Sequence, residues 1–162
     1  MILQYFIKKE NTEKIIAEKI YKSIIKKSNY FMNENTFITK KNYNTSFEIV
    51  SIFMIFYIKL NIFYKQNNYK LINEYIISIF VSDLDNSLRE KGIGDISIGK
   101  YVKSYVKKFY FRLSKFPNNI KQDLFLQYLA LFDLIDEKDN LKAAQKFIEI
   151  YIELENSYIL GK

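Results

Sequence analysis

Glycine and proline are scarce in this chain, and three of the glycines lie close together. The 162 residues include one proline and four glycines, and Gly92, Gly94 and Gly99 fall within eight residues of each other. Because glycine and proline are the residues that most strongly interrupt helices, long stretches without them favour long helices. The chain is therefore expected to be all-α, with a constrained backbone corner near residue 92.

Hydrophobic spacing predicts a single-domain bundle of six or more helices that covers residues 1–162. Apolar residues recur three and four positions apart, as they do along one face of a helix. The predicted helices cover residues 12–27, 45–65, 69–91, 97–115, 119–135 and 140–156. Thr45 and Glu48 have capping-box spacing, and Asp139 is placed to cap the last helix. The polar residues 28–44 are expected to form a loop.

The composition excludes several kinds of enzyme. The chain contains no histidine and no cysteine. Imidazole general bases, thiol nucleophiles, thiol redox chemistry and the usual zinc sites all need one of these residues. Carboxylate, lysine, tyrosine and serine chemistry remain. The composition therefore disfavours an enzyme, and no catalytic residue and no cofactor are predicted.

The most apolar segment, residues 47–64, is interpreted as a buried helix. Glu48, Lys59 and Asn61 interrupt it and leave ten uncharged residues from Ile49 to Ile58, whereas a membrane span needs about 20. The first 14 residues carry two glutamates and no arginine, unlike a secretory signal or a mitochondrial transit peptide. We expect no transmembrane segment and a cytoplasmic location, with peripheral binding to the cytoplasmic face of the inner membrane left open.

Acids and glycines alternate between residues 83 and 95, which raises the question of a metal site. Two positions two apart on a helix point about 200° away from each other, so Asp83 and Asp85 are poorly placed to share one ion. A structural role is favoured instead: an ion pair between Asp85 and Arg89, a left-handed helix end at Gly92, and a cap for the next helix. That cap is expected to be Asp95 or Ser97. No metal site is predicted, and the structural motif comprises Asp83, Asp85, Leu88, Arg89, Glu90, Gly92, Gly94 and Asp95.

Positive charge is concentrated in one predicted helix. Residues 96–118 hold six basic residues and no acid, while the neighbouring segments mix both signs. Such a helix suits an anionic surface, namely membrane headgroups, ribosomal RNA or an acidic protein. The alternative is a solvated lysine face on a core helix. The residues predicted to bind a partner are Lys100, Lys103, Lys107, Lys108, Tyr110 and Arg112.

Residues 45–113 resemble the ubiquinol-cytochrome c chaperone family. The similarity lies in the acidic helix end and glycine turn of residues 80–95, the basic helix that follows, and the segment Phe109-Tyr110-Phe111-Arg112. Thr45 to Glu48 resemble the start of the family's second helix. Phe111 stands where the family usually has glycine, and Gly99 stands where it often has proline.

The resemblance implies a non-catalytic assembly chaperone for ubiquinol-cytochrome c reductase (complex III). Its partner would be newly made cytochrome b or another complex III subunit, held near the ribosome or the membrane. The short chain is similar to a stand-alone bacterial member. On the residues, an aromatic-rich apolar groove beside the basic helix would bind the client. The alternative is a generic α-helical adaptor or nucleic-acid-binding module that uses residues 97–115, and a helical magnesium enzyme is a third class.

Overall fold

The computed structural model contains six helices and no strand within the residues that it describes, which confirms the all-α prediction. The described residues are 2–38, 40–132, 134 and 139–161, with side chains from residue 12 onward. The helices are α1 (Ile2–Glu34), α2 (Tyr43–Phe63), α3 (Tyr69–Glu90), α4 (Asp95–Lys115), α5 (Gln122–Leu129) and α6 (Asn140–Leu160).

Three helices differ in length from their predictions. α1 begins at Ile2 and continues to Glu34, so residues 28–34, predicted as loop, are helical. The buried face of α1 continues through Ser28 to Phe31, and the polar serine hid this continuation in the sequence. α5 is shorter than predicted and ends at Leu129, whereas α6 extends to Leu160. Residues 133 and 135 of the predicted fifth helix lie outside the described residues.

The first turn of α2 is capped by an asparagine that precedes it. The Asn42 Oδ1 atom accepts hydrogen bonds from the Thr45 backbone N–H (3.0 Å) and from the Thr45 hydroxyl (3.2 Å). A side-chain oxygen in this position satisfies a backbone donor that has no partner within the helix. The capping box predicted for Thr45 and Glu48 is therefore wrong, and Glu48 is buried and used elsewhere.

The corner between α3 and α4 confirms the predicted role of Gly92. Gly92 has a φ of 87°, its N–H donates to the Arg89 carbonyl (2.8 Å), and the Ile93 N–H donates to the Leu88 carbonyl (3.2 Å). This pair of bonds is the Schellman arrangement that ends a helix at a left-handed residue. The Gly94 carbonyl then accepts hydrogen bonds from the N–H groups of Ser97 and Ile98 in the first turn of α4 (both 3.0 Å), so Gly94 occupies the cap position predicted for Asp95 or Ser97.

The described chain divides into two compact units, and the first comprises residues 1–23 and 61–111. α3 buries one face of apolar residues at helical spacing, and the Phe80 ring on that face has its centroid 5.3 Å from that of Phe109 on α4. The Tyr21 hydroxyl of α1 donates to Asp83 of α3 (2.7 Å). A buried amide pair joins Asn61 and Asn73 (2.7 Å). Aromatic packing and polar contacts of this kind therefore help to hold the helices of unit 1 together.

The second unit comprises residues 24–60 and 112–162 and has an aromatic core. The rings of Phe31 and Phe147 stack with centroids 4.3 Å apart, and Phe56 meets Tyr151 edge to face at 5.1 Å. Among the described helices, only α2 is long and apolar enough to cross a membrane by length and composition, and 72% of its most apolar stretch is buried inside the protein. Such burial is typical of the central helix of a core. The fully buried phenylalanines of unit 2 are Phe31, Phe53, Phe56, Phe125 and Phe147.

Replacing the two glycines Gly92 and Gly99 by alanine should change stability in opposite directions. Gly92→Ala should lower the free energy of unfolding by about 1 kcal/mol, because a left-handed backbone is strained for a residue with a Cβ. Gly99→Ala should raise it by up to about 1 kcal/mol, because alanine is the better helix former. An added Cβ at either position meets no atom within 4 Å, so packing does not complicate the comparison. Urea unfolding midpoints test this pair, and a shift of the same sign in both variants would contradict it.

Candidate partner-binding surface

Three lysines form an exposed row on α4. Lys100, Lys103 and Lys107 are spaced three and four residues apart, so they share one side of the helix. All three are exposed, and none of them takes part in an ion pair within the described part of the chain. The opposite side of α4 carries Ile98 and Phe109, which are buried in unit 1. The amphipathic pattern of α4 therefore turns this row of charges toward solvent.

Large apolar side chains lie on the same side of α4 as the lysine row. Ile96 is fully exposed and Phe111 is 49% exposed. At about 100° per residue, both project within about 40° of Lys100. Together with Ser104, these residues form one surface, the basic face, which comprises Ile96, Lys100, Lys103, Ser104, Lys107 and Phe111. The basic face combines positive charge with exposed apolar side chains along one helix.

The remaining predicted residues of α4 border the basic face. Tyr110 is about half exposed, as is Tyr101 on the other border, while Lys108 is half-buried. A shallow depression beside the row is lined by Ser97, Lys100, Tyr101 and Ser104. The structure therefore places five of the six predicted partner-binding residues on or next to one exposed side of α4.

The acid at the start of α4 is paired and does not oppose the lysine row. Arg89 lies 2.5 Å from Asp85, which confirms the predicted ion pair, and also contacts Asp95. Hydrogen bonds from its side chain to Asp85 and then to Asp95 raise the pKa of Arg89 above its ordinary value. The positive charge of Arg89 therefore offsets the charge of Asp95, and residues 96–118 contain no acid.

The other two acids of the 83–95 motif, Asp83 and Glu90, do not form a cluster with Asp85 and Asp95. Asp83 accepts a hydrogen bond from Tyr21, and Glu90 is the exposed last residue of α3. No group of three or more carboxylates placed to hold a metal ion occurs among the described residues. Leu88 is buried and contributes to the core of unit 1. In the described structure, the motif builds the corner between α3 and α4.

Arg112 does not belong to the exposed basic face, which corrects the prediction from sequence. It is only 4% exposed, its Nη2 donates to Glu48 Oε1 (2.7 Å) and to the Leu131 carbonyl (3.0 Å), and its Nε lies 2.7 Å from Glu48 Oε2. The guanidinium also lies 4.5 Å from the centroid of the Phe132 ring. A buried acid in the apolar α2 requires a cation that compensates for its lost hydration. The isolated Glu48 was therefore the feature of the sequence that could have indicated a buried cation.

Tyr128 of α5 is buried near this ion pair. Its hydroxyl has no hydrogen-bond partner among the described residues. Burial is the main cause that raises the pKa of Tyr128, with a further rise from Glu48 and an opposing effect from Arg112. The hydroxyl therefore stays protonated in the folded protein. Glu48, Arg112 and Tyr128 form a polar cluster inside unit 2 and are inaccessible to a partner.

A second exposed apolar surface lies on α6 in unit 2. Leu141, Ile152 and Ile159 are each about half exposed, and Ile148 between them is half-buried. Ile148, Ile152 and Ile159 follow Leu141 by seven, eleven and eighteen residues. This spacing places all four side chains on one side of the helix. These four residues are called the α6 row. These residues were not predicted as a surface from the sequence, although their helical spacing could have indicated one.

Comparison with known proteins gives one family match and one structural match. The model of a family described as "Ubiquinol-cytochrome C chaperone" matches residues 35–124, more than half of the 162-residue chain. The matched range includes α2, α3, α4 and the whole basic face, and it contains residues 45–113, on which the sequence resemblance rests. No individual curated protein matches the chain.

The structural match is to the Cbp3 homolog from Brucella abortus. The chain is 21% identical to that protein, with a TM-score of 0.75, over 96% of this chain and 88% of the other. At this identity, the likeness establishes a shared fold across nearly the whole chain. It extends beyond the range of the family model at both ends.

Removing Arg112 should destabilise the protein far more than removing an exposed arginine. Arg112→Ala leaves Glu48 buried without its cation and should lower the free energy of unfolding by about 3–5 kcal/mol. The matched control is Arg89→Ala, whose ion pair with Asp85 is exposed to solvent and should contribute little to stability. Urea unfolding measures the free energy of unfolding of both variants.

A double variant, Glu48→Leu with Arg112→Met, should regain much of the stability that Arg112→Ala loses, because it leaves no unpaired buried charge. Equal small effects of Arg112→Ala and Arg89→Ala would refute the structural role of Arg112.

Stability above pH 10 should depend on Tyr128. A tyrosine in the unfolded chain ionises at about pH 10, whereas the folded-state pKa of Tyr128 is raised. Its contribution to stability is therefore complete below about pH 10 and decreases as the pH rises further. Tyr128→Phe should reduce the loss of stability between pH 10 and pH 11, as measured by urea midpoints. Tyr30→Phe, at an exposed position, is the control; identical pH profiles for the two variants would argue against this assignment.

Proposed function

The chain belongs to the ubiquinol-cytochrome c chaperone family, and we propose that it is a non-catalytic chaperone that binds newly made cytochrome b during assembly of complex III. The observation that carries the proposal is the family match over residues 35–124, which spans α2 to α4 and the corner between α3 and α4. The composition is compatible with a binding protein, since the chain has neither histidine nor cysteine to supply imidazole or thiol chemistry.

The chemistry of the client supports a role for exposed apolar surface. Cytochrome b is a membrane protein, so before assembly its apolar helices need a partner that shields them from water. A chaperone that covers such a helix lays apolar side chains along it at helical spacing. The α6 row has this spacing, and three of its four side chains are about half exposed. We therefore propose the α6 row as one client-binding surface.

The sequence also predicted an aromatic groove beside the basic helix, and this stays part of the proposal. Tyr101 and Tyr110 border the lysine row and are each about half exposed. Aromatic side chains with a polar end suit a partner that is partly apolar and partly hydrated. The proposed place of action is the cytoplasmic side of the membrane, close to where cytochrome b is synthesised. Contact with the ribosome belongs to the same proposal, without an assigned surface.

Deleting the gene should abolish the b-type haem absorbance of complex III while leaving the cytochrome b transcript at its normal level. The reason is that an unshielded client is lost before it acquires haem. Absorbance spectra of isolated membranes measure the first quantity and transcript quantification the second. An unchanged haem spectrum in the deletion strain would refute the proposed function.

Complementation of that strain tests the client-binding surface. A triple variant, Leu141→Ser, Ile152→Ser and Ile159→Ser, should restore little of the haem absorbance, because it removes the exposed part of the α6 row. The matched control replaces Ile15 and Ile16, which are exposed apolar residues of α1, by serine and should restore absorbance fully. Full restoration by the α6 variant would exclude this surface and favour the aromatic border of α4.

A further inference from the structure

We propose that the basic face of α4 docks on an anionic lipid bilayer, with its lysines against the headgroup phosphates and its apolar side chains within the headgroup layer. This inference goes beyond the proposed function, because it concerns the chaperone alone and requires no client. It assigns one partner to a surface for which the sequence left membrane, RNA and acidic protein open.

Charge and geometry make the basic face complementary to a flat anionic surface. Lys100, Lys103 and Lys107 lie in one row, which spans about 10 Å at 1.5 Å per residue. Arg89 pairs with Asp95 at the start of the helix, and residues 96–118 contain no acid. A row of ammonium groups without opposing charge is attracted to the phosphates of anionic lipids and is screened by salt.

The apolar residues at both ends of the row favour a bilayer over a purely polar partner. Ile96 and Phe111 lie on the lysine side and are separated by about 22 Å along the helix. Ile96 is fully exposed, so a partner that covers it gains the free energy of burying a large aliphatic side chain. At a membrane surface, apolar side chains enter the boundary of the headgroups while lysines extend to the phosphates.

The identity of the cations argues against RNA as the partner. Arginine is the residue best suited to forked hydrogen bonds with phosphates and bases and to stacking on nucleobases. The single arginine of α4, Arg112, is 4% exposed and is bound to Glu48. The exposed cations of the basic face are therefore all lysines. Lysine contacts phosphates as a point charge and does not need the geometry of an ordered nucleic acid.

Tyrosine occurs at the borders of the face, where an interfacial side chain would be expected. Tyr101 and Tyr110 flank the lysine row on its two sides, and both are about half exposed. Tyrosine is enriched at membrane–water interfaces, because its ring is apolar and its hydroxyl remains hydrated. In the proposed docking, the centre of the basic face contacts anionic lipid through its lysines, and the tyrosine rings at its edges lie in the interface.

Co-sedimentation of the purified full-length chain with lipid vesicles tests the proposal. The protein should bind vesicles that contain phosphatidylcholine and phosphatidylglycerol, and bind vesicles of phosphatidylcholine alone at least about tenfold more weakly. Raising the salt concentration should release it from the anionic vesicles. Equal binding to the two kinds of vesicle, or no binding to either, would overturn the proposal.

Charge reversal identifies the surface. A triple variant, Lys100→Glu, Lys103→Glu and Lys107→Glu, should lose at least about tenfold of its vesicle binding. The matched control reverses Lys19, Lys22 and Lys26 on α1, which are exposed, have the same three- and four-residue spacing and give the same change of net charge. The control should bind nearly as well as the unaltered protein, and an equal loss in both triples would show that net charge alone drives binding.

An apolar substitution separates lipid from RNA. Ile96→Asn leaves every charge in place, so it should weaken binding to anionic vesicles several-fold and leave binding to a single-stranded RNA unchanged. If the unaltered chain binds that RNA more tightly than the vesicles and Ile96→Asn changes neither affinity, the basic face is a nucleic-acid surface and the lipid proposal fails. Since these assays contain no cytochrome b, their failure would leave the deletion phenotype as a separate test of the proposed function.

Discussion

The interior of unit 2 depends on the ion pair between Glu48 and Arg112. Glu48 is a carboxylate near the start of the most apolar helix of the chain, and it is 1% exposed. A carboxylate in that position is stable only if a cation and hydrogen-bond donors compensate for its lost hydration. Arg112 supplies both, and it also binds the Leu131 carbonyl and the Phe132 ring. One guanidinium therefore joins α2, the end of α4 and the segment that follows α5.

The same constraint explains how α4 distributes its cations. The helix buries its one arginine and exposes most of its lysines, which matches the physical difference between the two groups. A planar guanidinium pairs a buried carboxylate with directed hydrogen bonds, whereas a strongly hydrated ammonium is best left in water. Arg112 therefore stabilises the fold, and the lysine row remains available to partners. The family match includes both features, since Glu48, the lysine row and Arg112 all lie within residues 35–124.

Local features of this fold could be predicted from the sequence, and contacts between distant residues could not. The six helices, the buried face of α3, the helix end at Gly92 and the pair of Asp85 with Arg89 all depend on residues within one or two helical turns. The role of Arg112 depends on Glu48, 64 residues away, which no local spacing reveals. The same limit applies to Ser28, whose polar side chain concealed that the buried face of α1 continues.

The surface was predicted less completely than the core, because spacing identifies a face and does not show whether another helix covers it. The lysine row was found from charge alone, but its separation from Arg112 required the structure. The α6 row has regular helical spacing, yet only its measured exposure distinguishes it from a core face. That exposure is what connects the fold to the proposed binding of an unassembled membrane protein.

The most direct test of the account is to purify the tagged chain from detergent-solubilised membranes shortly after cytochrome b synthesis is pulse-labelled. Labelled cytochrome b should be bound to the chain early in the chase and should leave it as complex III forms. The proposed client binding would be contradicted if labelled cytochrome b were absent from the chain at all times, or were bound equally by the α6-row triple variant and the unaltered protein.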